Sequence, residues 1–175
     1  MQEIKVNEIT TGWSIAKKTK PLKAKPIVSL LVDKSVLSKF LIDTLEGKEP
    51  IGDGAVICVG EHNDIWQQMP SKLLKKYDVI DVDPEGWMIC QPKLDNSIDS
   101  IQINNSLSEY MNGNIDITPG FFIIGQWGEK YHILNKEILI QKAEIGDYIC
   151  RNREDNTDIW IVRKKIFENT YNIIS

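Results

Sequence analysis

The feature that most constrains this chain is an internal repeat. Residues 51–80 align without a gap with residues 145–174, and eight of the thirty aligned positions are identical. Tryptophan and tyrosine recur at the same spacing in both copies, which chance explains poorly because these residues are rare. The repeat predicts an internal duplication of one structural unit. The identical positions are Ile-Gly-Asp (51–53 and 145–147), Asp-Ile-Trp (64–66 and 158–160), Tyr77 with Tyr171, and Ile80 with Ile174.

Each copy predicts a β-hairpin followed by a short helix. The Gly-Asp pair is typical of a turn, and the apolar stretch after it predicts a strand. A polar loop and a second strand that contains the tryptophan complete the hairpin. Pro70 then begins a helix in the first copy, and Ile166, Phe167 and Thr170-Tyr171 form the matching apolar face in the second.

The remainder of the chain predicts mostly strands. Residues 26–32 predict a strand, and residues 32–47 predict an amphipathic helix that ends at Gly47. Strand-like segments bounded by turns follow at 78–83, 86–92, 97–103, 114–118, 121–127, 131–134 and 136–142. The predicted fold is therefore α+β, predominantly antiparallel β with one amphipathic helix and two short helices.

No low-complexity linker separates the two copies. The sequence therefore predicts an N-terminal half, 1–84, and a β-rich C-terminal half, 85–175, packed as one compact body.

Charge argues against general binding to nucleic acids or anionic membranes, since the 175 residues carry a formal net charge of −4. The charge is uneven: six lysines lie in residues 1–25, and eight acids lie in residues 78–116. Solvated faces are the simplest interpretation, and a partner-binding surface, including an acidic surface that mimics DNA, is the alternative.

Cysteine and histidine usage predicts neither a metal site nor a cofactor. Cys58, Cys90 and Cys150 lie far apart in apolar segments, so we interpret them as small buried side chains in strands. His62 and His132 have no ligand at zinc-site spacing. The chain also lacks phosphate-binding loop motifs and a G-x-S-x-G motif.

Five residues are candidates for a binding site. Trp127 and Tyr131 lie near two glycines. Trp127 is either exposed there as an interface anchor or packed at a β-bulge. His62, Asp64 and Asp158 lie in the two hairpin loops, where the acids either form a paired site or bond to their own turns. The repeated tryptophans and tyrosines form either a ligand cage or the local core.

The last thirty residues of the chain resemble the C-terminal end of the PGDYG-type proteins of phages and bacteria, and residues 51–80 resemble it more weakly. The matching positions are Ile145-Gly146-Asp147-Tyr148-Ile149, Trp160 and the segment from Lys165 to Tyr171. That resemblance implies a phage or bacterial setting. It does not indicate a particular reaction, since the family has no assigned activity. Ile145 stands where the family has proline, and the loop before Trp160 is longer than usual.

These observations favour a non-catalytic binding or accessory protein, phage-related or host-directed, that recognises a protein or small ligand. The alternative is a small hydrolase or transferase with a carboxylate and histidine site between the halves. We expect a cytoplasmic protein, monomeric or weakly homo-oligomeric, without a secretory signal or membrane segment.

Overall fold

The computed structural model describes residues 2–27, 41–45, 47–52, 54–104, 121–125 and 139–175. Antiparallel strands dominate these residues, and two short helices accompany them, which confirms the predicted α+β class. In chain order the elements are β1 (Gln2–Glu3), β2 (Ser14–Lys18), β3 (Leu22–Pro26), β4 (Leu41–Asp43), β5 (Lys48–Pro50), β6 (Val56–Val59), β7 (Ile65–Gln68), α1 (Pro70–Lys76), β8 (Tyr77–Val82), β9 (Met88–Pro92), β10 (Ser97–Gln102), β11 (Phe121–Gly125), β12 (Leu139–Ala143), β13 (Tyr148–Arg151), β14 (Ile159–Val162), α2 (Lys164–Thr170) and β15 (Tyr171–Ile173).

The described chain forms two compact units. Unit 1 contains residues 2–17, 97–104, 121–125 and 139–175, and unit 2 contains residues 18–27, 41–45, 47–52 and 54–96. This division differs from sequential halves at residue 84, because β2 pairs with β10 in unit 1 whereas β9 pairs with β3 in unit 2. Strand pairing, rather than proximity in the sequence, sets the composition of each unit.

Each unit is built on a five-stranded sheet. The strand order is β14-β13-β10-β2-β15 in unit 1 and β7-β6-β3-β9-β8 in unit 2. In each sheet the central strand pairs with the inner strand of a hairpin on one side, and that hairpin's outer strand, β14 or β7, forms one edge. On the other side one more strand leads to the second edge, β15 or β8, which directly follows a short helix.

The two hairpins have the same cross-strand pairing. Cys58 lies opposite Trp66 in unit 2, and Cys150 lies opposite Trp160 in unit 1. The ungapped sequence alignment instead places Cys58 over Asn152, because the loop before Trp160 is longer and the segment between the Gly-Asp turn and β13 is shorter. The two differences cancel before the tryptophan, so the tryptophans stay aligned.

A second pair of matching segments precedes β2 and β9. Gly12-Trp13 and Gly86-Trp87 each lead into a strand with isoleucine two residues after the tryptophan. Both glycines have positive φ, 85° and 86°, which a residue with a Cβ adopts at a cost. A cation also lies over each indole: Arg151 Cζ is 4.0 Å from the Trp13 ring centroid, and Lys25 Nζ is 5.5 Å from that of Trp87.

The hydrophobic cores follow the period-two alternation of the strands. In unit 1, Tyr148 and Cys150 face α2, whereas Ile149 faces the sheet β1-β11-β12. In unit 2, Cys58 and Cys90 face α1, and the opposite face packs on the β4–β5 hairpin. All three cysteines are buried and lie within strands, as predicted.

The two helices end in the same way. Each has seven residues, and the next residue, Tyr77 or Tyr171, is already extended. Its backbone N–H donates to the carbonyl of Leu73 or Phe167, so the helix closes and the edge strand begins at the same tyrosine. Burial of Leu73 and Phe167 against the sheet stabilises helices that are too short to form alone.

The prediction of a helix over 32–47 is wrong at its C-terminal end. Leu41–Asp43 forms β4, which pairs with Lys48–Pro50, and Thr44 and Gly47 close the turn through N–H···O bonds of 2.9 and 3.3 Å. Ile42 packs with Ile51 and Ala55, so tertiary burial outweighs local helix propensity. Residues 32–40 of this predicted helix lie outside the described residues.

Candidate binding surface on two edge strands

Two of the five candidate site residues, Trp127 and Tyr131, lie outside the described residues. Their role as interface anchors therefore stays a prediction. The other three lie on the hairpin loops, with His62 and Asp64 in unit 2 and Asp158 in unit 1.

The loop from Gly60 to Asp64 is tight. The Gly60 N–H donates to the Asp64 carbonyl at 2.9 Å, and Asn63 adopts a left-handed φ of 57°. The Asp64 carboxylate lies against Gly60, where a Cβ would collide with it, and its Oδ1 atom is buried without a hydrogen-bond partner among the described residues. His62 is exposed at the tip of this loop.

Asp158 is buried and belongs to the internal bonding of its own loop. Its carboxylate accepts a hydrogen bond from Asn152 Nδ2 at 3.3 Å, and its backbone N–H donates to the Asp155 carbonyl at 3.0 Å. Asp155 in turn accepts bonds from the backbone and hydroxyl of Thr157. This geometry supports the interpretation of a turn-stabilising aspartate.

No cluster of three His, Cys, Asp or Glu side chains suited to a metal ion occurs in the part of the chain that the structure describes. A catalytic site between the halves, the alternative from the sequence, stays a prediction.

The repeated aromatic side chains belong to the cores. Tyr77 packs on the α1 face of its sheet, and burial raises its pKa above the usual range despite a hydrogen bond with Asn96. In unit 1, the rings of Tyr148 and Phe167 stack at 3.8 Å, and those of Phe167 and Tyr171 stack at 4.8 Å. The structure supports the core interpretation over the ligand cage.

Asp147 of the repeated Gly-Asp motif is a structural residue. Its buried carboxylate accepts hydrogen bonds from the backbone N–H groups of Glu144 and Lys164, both at 2.9 Å, and from Arg163 Nη1 at 2.7 Å. It therefore joins the turn before β13 to the first residue of α2. Gly146 has a φ of 100°, which a residue with a Cβ adopts only at a cost, so the motif favours glycine there.

The structure describes residues 78–104 of the acidic span 78–116. Residues 78–96 belong to unit 2, and residues 97–104 belong to unit 1. Three of its acids bind cations: Asp78 lies 3.9 Å from Lys93 Nζ, Asp83 lies 3.3 Å from Lys23 Nζ, and Asp99 binds Arg151 and Arg153. Backbone N–H bonds from Trp87 and Glu85, together with Lys23, lower the pKa of Asp83. This pairing weakens the case for an unpaired acidic face.

The edge strand β8 exposes apolar side chains in unit 2. Ile80 is 62% exposed and Val82 is 57% exposed, and Val79 beside them is also open to solvent. A β-bulge at Ile80 interrupts the register with β9. Because β8 ends the strand order of its sheet, one side of its backbone has no strand partner among the described residues.

The edge strand β15 repeats this arrangement in unit 1. Ile173 and Ile174 are exposed, and a shallow groove of about 560 Å³ lies between β15 and α2. Tyr148, Phe167 and Tyr171 form part of its lining, together with Glu168 and the two isoleucines. Solvent-exposed apolar side chains in contiguous positions are typical of interaction surfaces.

The sequence contains one signal for this surface. Val79-Ile80 aligns with Ile173-Ile174 in the repeat, directly after each helix. Apolar residues at corresponding positions predict burial, and the structure instead places them at exposed edges. Only strand order distinguishes an edge from a central strand, and strand order is a tertiary property.

Comparisons with family models, with curated proteins and with solved structures give no match to this chain. The resemblance of its C-terminal segment to the PGDYG-type proteins therefore stays a prediction. Among the described residues, no helix has the length and apolar character that crossing a membrane requires.

Proposed function

We propose that the protein is a non-catalytic binding protein that docks extended segments of a partner protein on the edge strands β8 and β15. In this mode a partner strand adds to the edge of a sheet: main-chain hydrogen bonds provide affinity, and adjacent side chains provide specificity. A phage-related or host-directed accessory role is compatible with such docking and needs no catalytic residues.

One observation carries the proposal. In both units the sheet ends in a strand that follows a seven-residue helix and leaves consecutive apolar side chains exposed, Val79-Ile80 and Ile173-Ile174. Proteins usually protect such edge strands with charged side chains, proline or bulges, which prevent pairing with strands of other molecules. A partner strand would cover this apolar surface and pair with the side of the backbone that has no strand partner among the described residues.

We also propose that the two units descend from one duplicated unit. The shared strand order, the matching Gly-Trp segments before β2 and β9, and the identical helix endings support this proposal. Each ancestral unit would then begin at its Gly-Trp segment and extend through its helix and edge strand. Its first strand lies in the sheet of the other unit, since β2 belongs to unit 1 and β9 to unit 2. Duplication accounts for two docking edges in one chain.

The test is selection of extended peptides on the intact protein, followed by binding to charged edge variants. We expect selected peptides to lose affinity by at least about tenfold when Ile80→Lys/Val82→Lys removes the β8 surface or Ile173→Lys/Ile174→Lys removes that of β15. Leu94→Lys is the matched control, because Leu94 is 88% exposed and lies outside both edge strands.

Nuclear magnetic resonance provides the second readout. Peptide binding should shift the backbone amides of β8 or β15 and slow their hydrogen exchange, because a new strand hydrogen-bonds them. Equal affinity for all three variants, shifts confined to other elements, or failure to select any peptide would overturn the proposal. Circular dichroism verifies that each variant remains folded.

A further inference from the structure

We infer that the segment docking on β8 is a cationic strand in which apolar side chains alternate with lysine or arginine. This inference rests on the proposed function, because it assigns the chemistry of the partner to one of the two edges. It follows from the placement of apolar and acidic side chains on opposite faces of β8.

The pairing of β8 with β9 assigns these faces. Val79 lies opposite Cys90 and Val82 lies opposite Met88, and both partners belong to the cluster packed on α1. On the other face, Asp78 lies opposite Gln91 and Asp81 lies opposite Ile89. A strand that continued the sheet past β8 would place its own alternate side chains beside the valines on one face and beside the aspartates on the other.

The acids remain accessible to such a strand. Asp81 is exposed, and its Oδ1 atom accepts the neighbouring N–H of Val82 at 2.8 Å. The side chain of Asp78 is about two-thirds exposed even with Lys93 Nζ at 3.9 Å. Lys23 of the central strand β3 pairs with Asp83, with its Nζ atom 3.3 Å from the carboxylate. Opposite charges directly across a strand pair stabilise it, and like charges destabilise it.

The same charges disfavour a second copy of this chain as the occupant. Two β8 strands would carry the same acids on the edges that meet. In the antiparallel register centred between Val79 and Ile80, for example, Asp78 of one copy would lie opposite Asp81 of the other, carboxylate against carboxylate. Charge complementarity therefore favours a basic strand from a different protein.

The edge strand β15 is a control within the same molecule. Asn172 stands at the repeat position of Asp78, and Ser175 stands at that of Asp81. The apolar residues are retained while both acids are absent. A preference for cations should therefore be confined to β8.

The experiment uses the full chain and three soluble heptapeptides in which valine alternates with lysine, threonine or glutamate. Fluorescence anisotropy measures affinity at low and high salt. We expect the lysine peptide to bind about tenfold tighter than the threonine peptide, and the glutamate peptide to bind weakest. Asp78→Asn/Asp81→Asn should abolish the preference, and high salt should reduce it. Asp95→Asn, another exposed acid of unit 2 that lies outside β8, is the matched control and should retain it.

The outcomes separate this inference from the proposed function. Equal binding of all three peptides, lost in Ile80→Lys/Val82→Lys, would overturn the cationic partner and leave edge docking intact. Binding that persists in that edge variant, or no binding of any peptide, would overturn both. Dimerisation in analytical ultracentrifugation that is lost in the edge variant would identify a second copy as the occupant and likewise overturn the inference.

Discussion

At the residue scale, Asp147 shows how one carboxylate connects two elements. It accepts three hydrogen bonds, from the turn before β13, from the first residue of α2 and from Arg163. We expect Asp147→Ala to lower the free energy of unfolding by about 2–4 kcal/mol, because buried donors then lose their acceptor.

Urea unfolding followed by circular dichroism measures this loss. Glu61→Ala, in the exposed loop of the other unit, is the control and should change stability by less than about 0.5 kcal/mol. A similarly small effect of Asp147→Ala would contradict the structural role of this carboxylate in connecting the turn before β13 to α2.

A second residue-scale prediction concerns Cys58. Burial raises the pKa of its thiol to about 12, although a hydrogen bond from Gln68 opposes the shift. The native state therefore keeps the thiol protonated at a pH where the unfolded chain, with a thiol pKa of 9.0, releases the proton. Stability from this group is fully present below pH 9 and is lost as the pH rises toward 12, by up to about 1.4 kcal/mol per pH unit.

Urea unfolding at pH 8 and pH 10 tests this dependence. Cys58→Ala should lose less stability between the two values than the wild type does, since alanine does not titrate. The native wild-type thiol should also resist a thiol reagent at pH 8 and react after unfolding. Identical alkaline losses in the two proteins would contradict the prediction.

At the element scale, sequence patterns identified most elements but not their neighbours. The two hairpins, both short helices and the strands at 78–83, 86–92 and 97–103 were predicted close to their observed bounds. Turn residues and apolar runs act on residues close together in the chain, so the elements that they predict also form in the folded protein. The sequence does not predict strand β3, in which buried Leu22 and Ala24 alternate with exposed or half-buried lysines. The apolar run that follows it predicts a strand at 26–32 instead.

The edge strands and β4 show where local patterns fail. The apolar residues of β8 resemble those of a buried strand, yet β8 lies last in its sheet. Leu41–Asp43 continues a helical apolar pattern, yet Ile42 gains its burial in a hairpin. In each case the deciding quantity is which neighbour covers the side chain, and a sequence window does not contain that neighbour.

At the scale of the whole molecule, the place of β9 in the sheet of unit 2 predicts which fragments fold. Residues 18–96 contain β3, the β6–β7 hairpin, α1, β8 and β9, and therefore every strand of the unit 2 sheet. Residues 1–84 lack β9, which lies between β3 and β8. We expect fragment 18–96 to unfold cooperatively and fragment 1–84 not to, although the two have similar lengths.

Thermal melts and the dispersion of amide resonances distinguish the two fragments. Addition of a fragment with residues 85–175, which supplies β9, should restore structure to fragment 1–84. Cooperative unfolding of fragment 1–84 alone would contradict the assignment of β9 to unit 2.

The sequence by itself determined the repeat, the hairpin-and-helix unit, the buried cysteines and the predominance of antiparallel strands. These properties depend on residues close together in the chain, where turn chemistry and the period-two pattern act directly. Only the tertiary structure decided that β2 pairs in the sheet of unit 1 and β9 in that of unit 2, that Asp147 connects a turn to α2, and that β8 and β15 are edges. Those outcomes depend on hydrogen bonds and apolar contacts between residues far apart in sequence, whose partners no local pattern specifies.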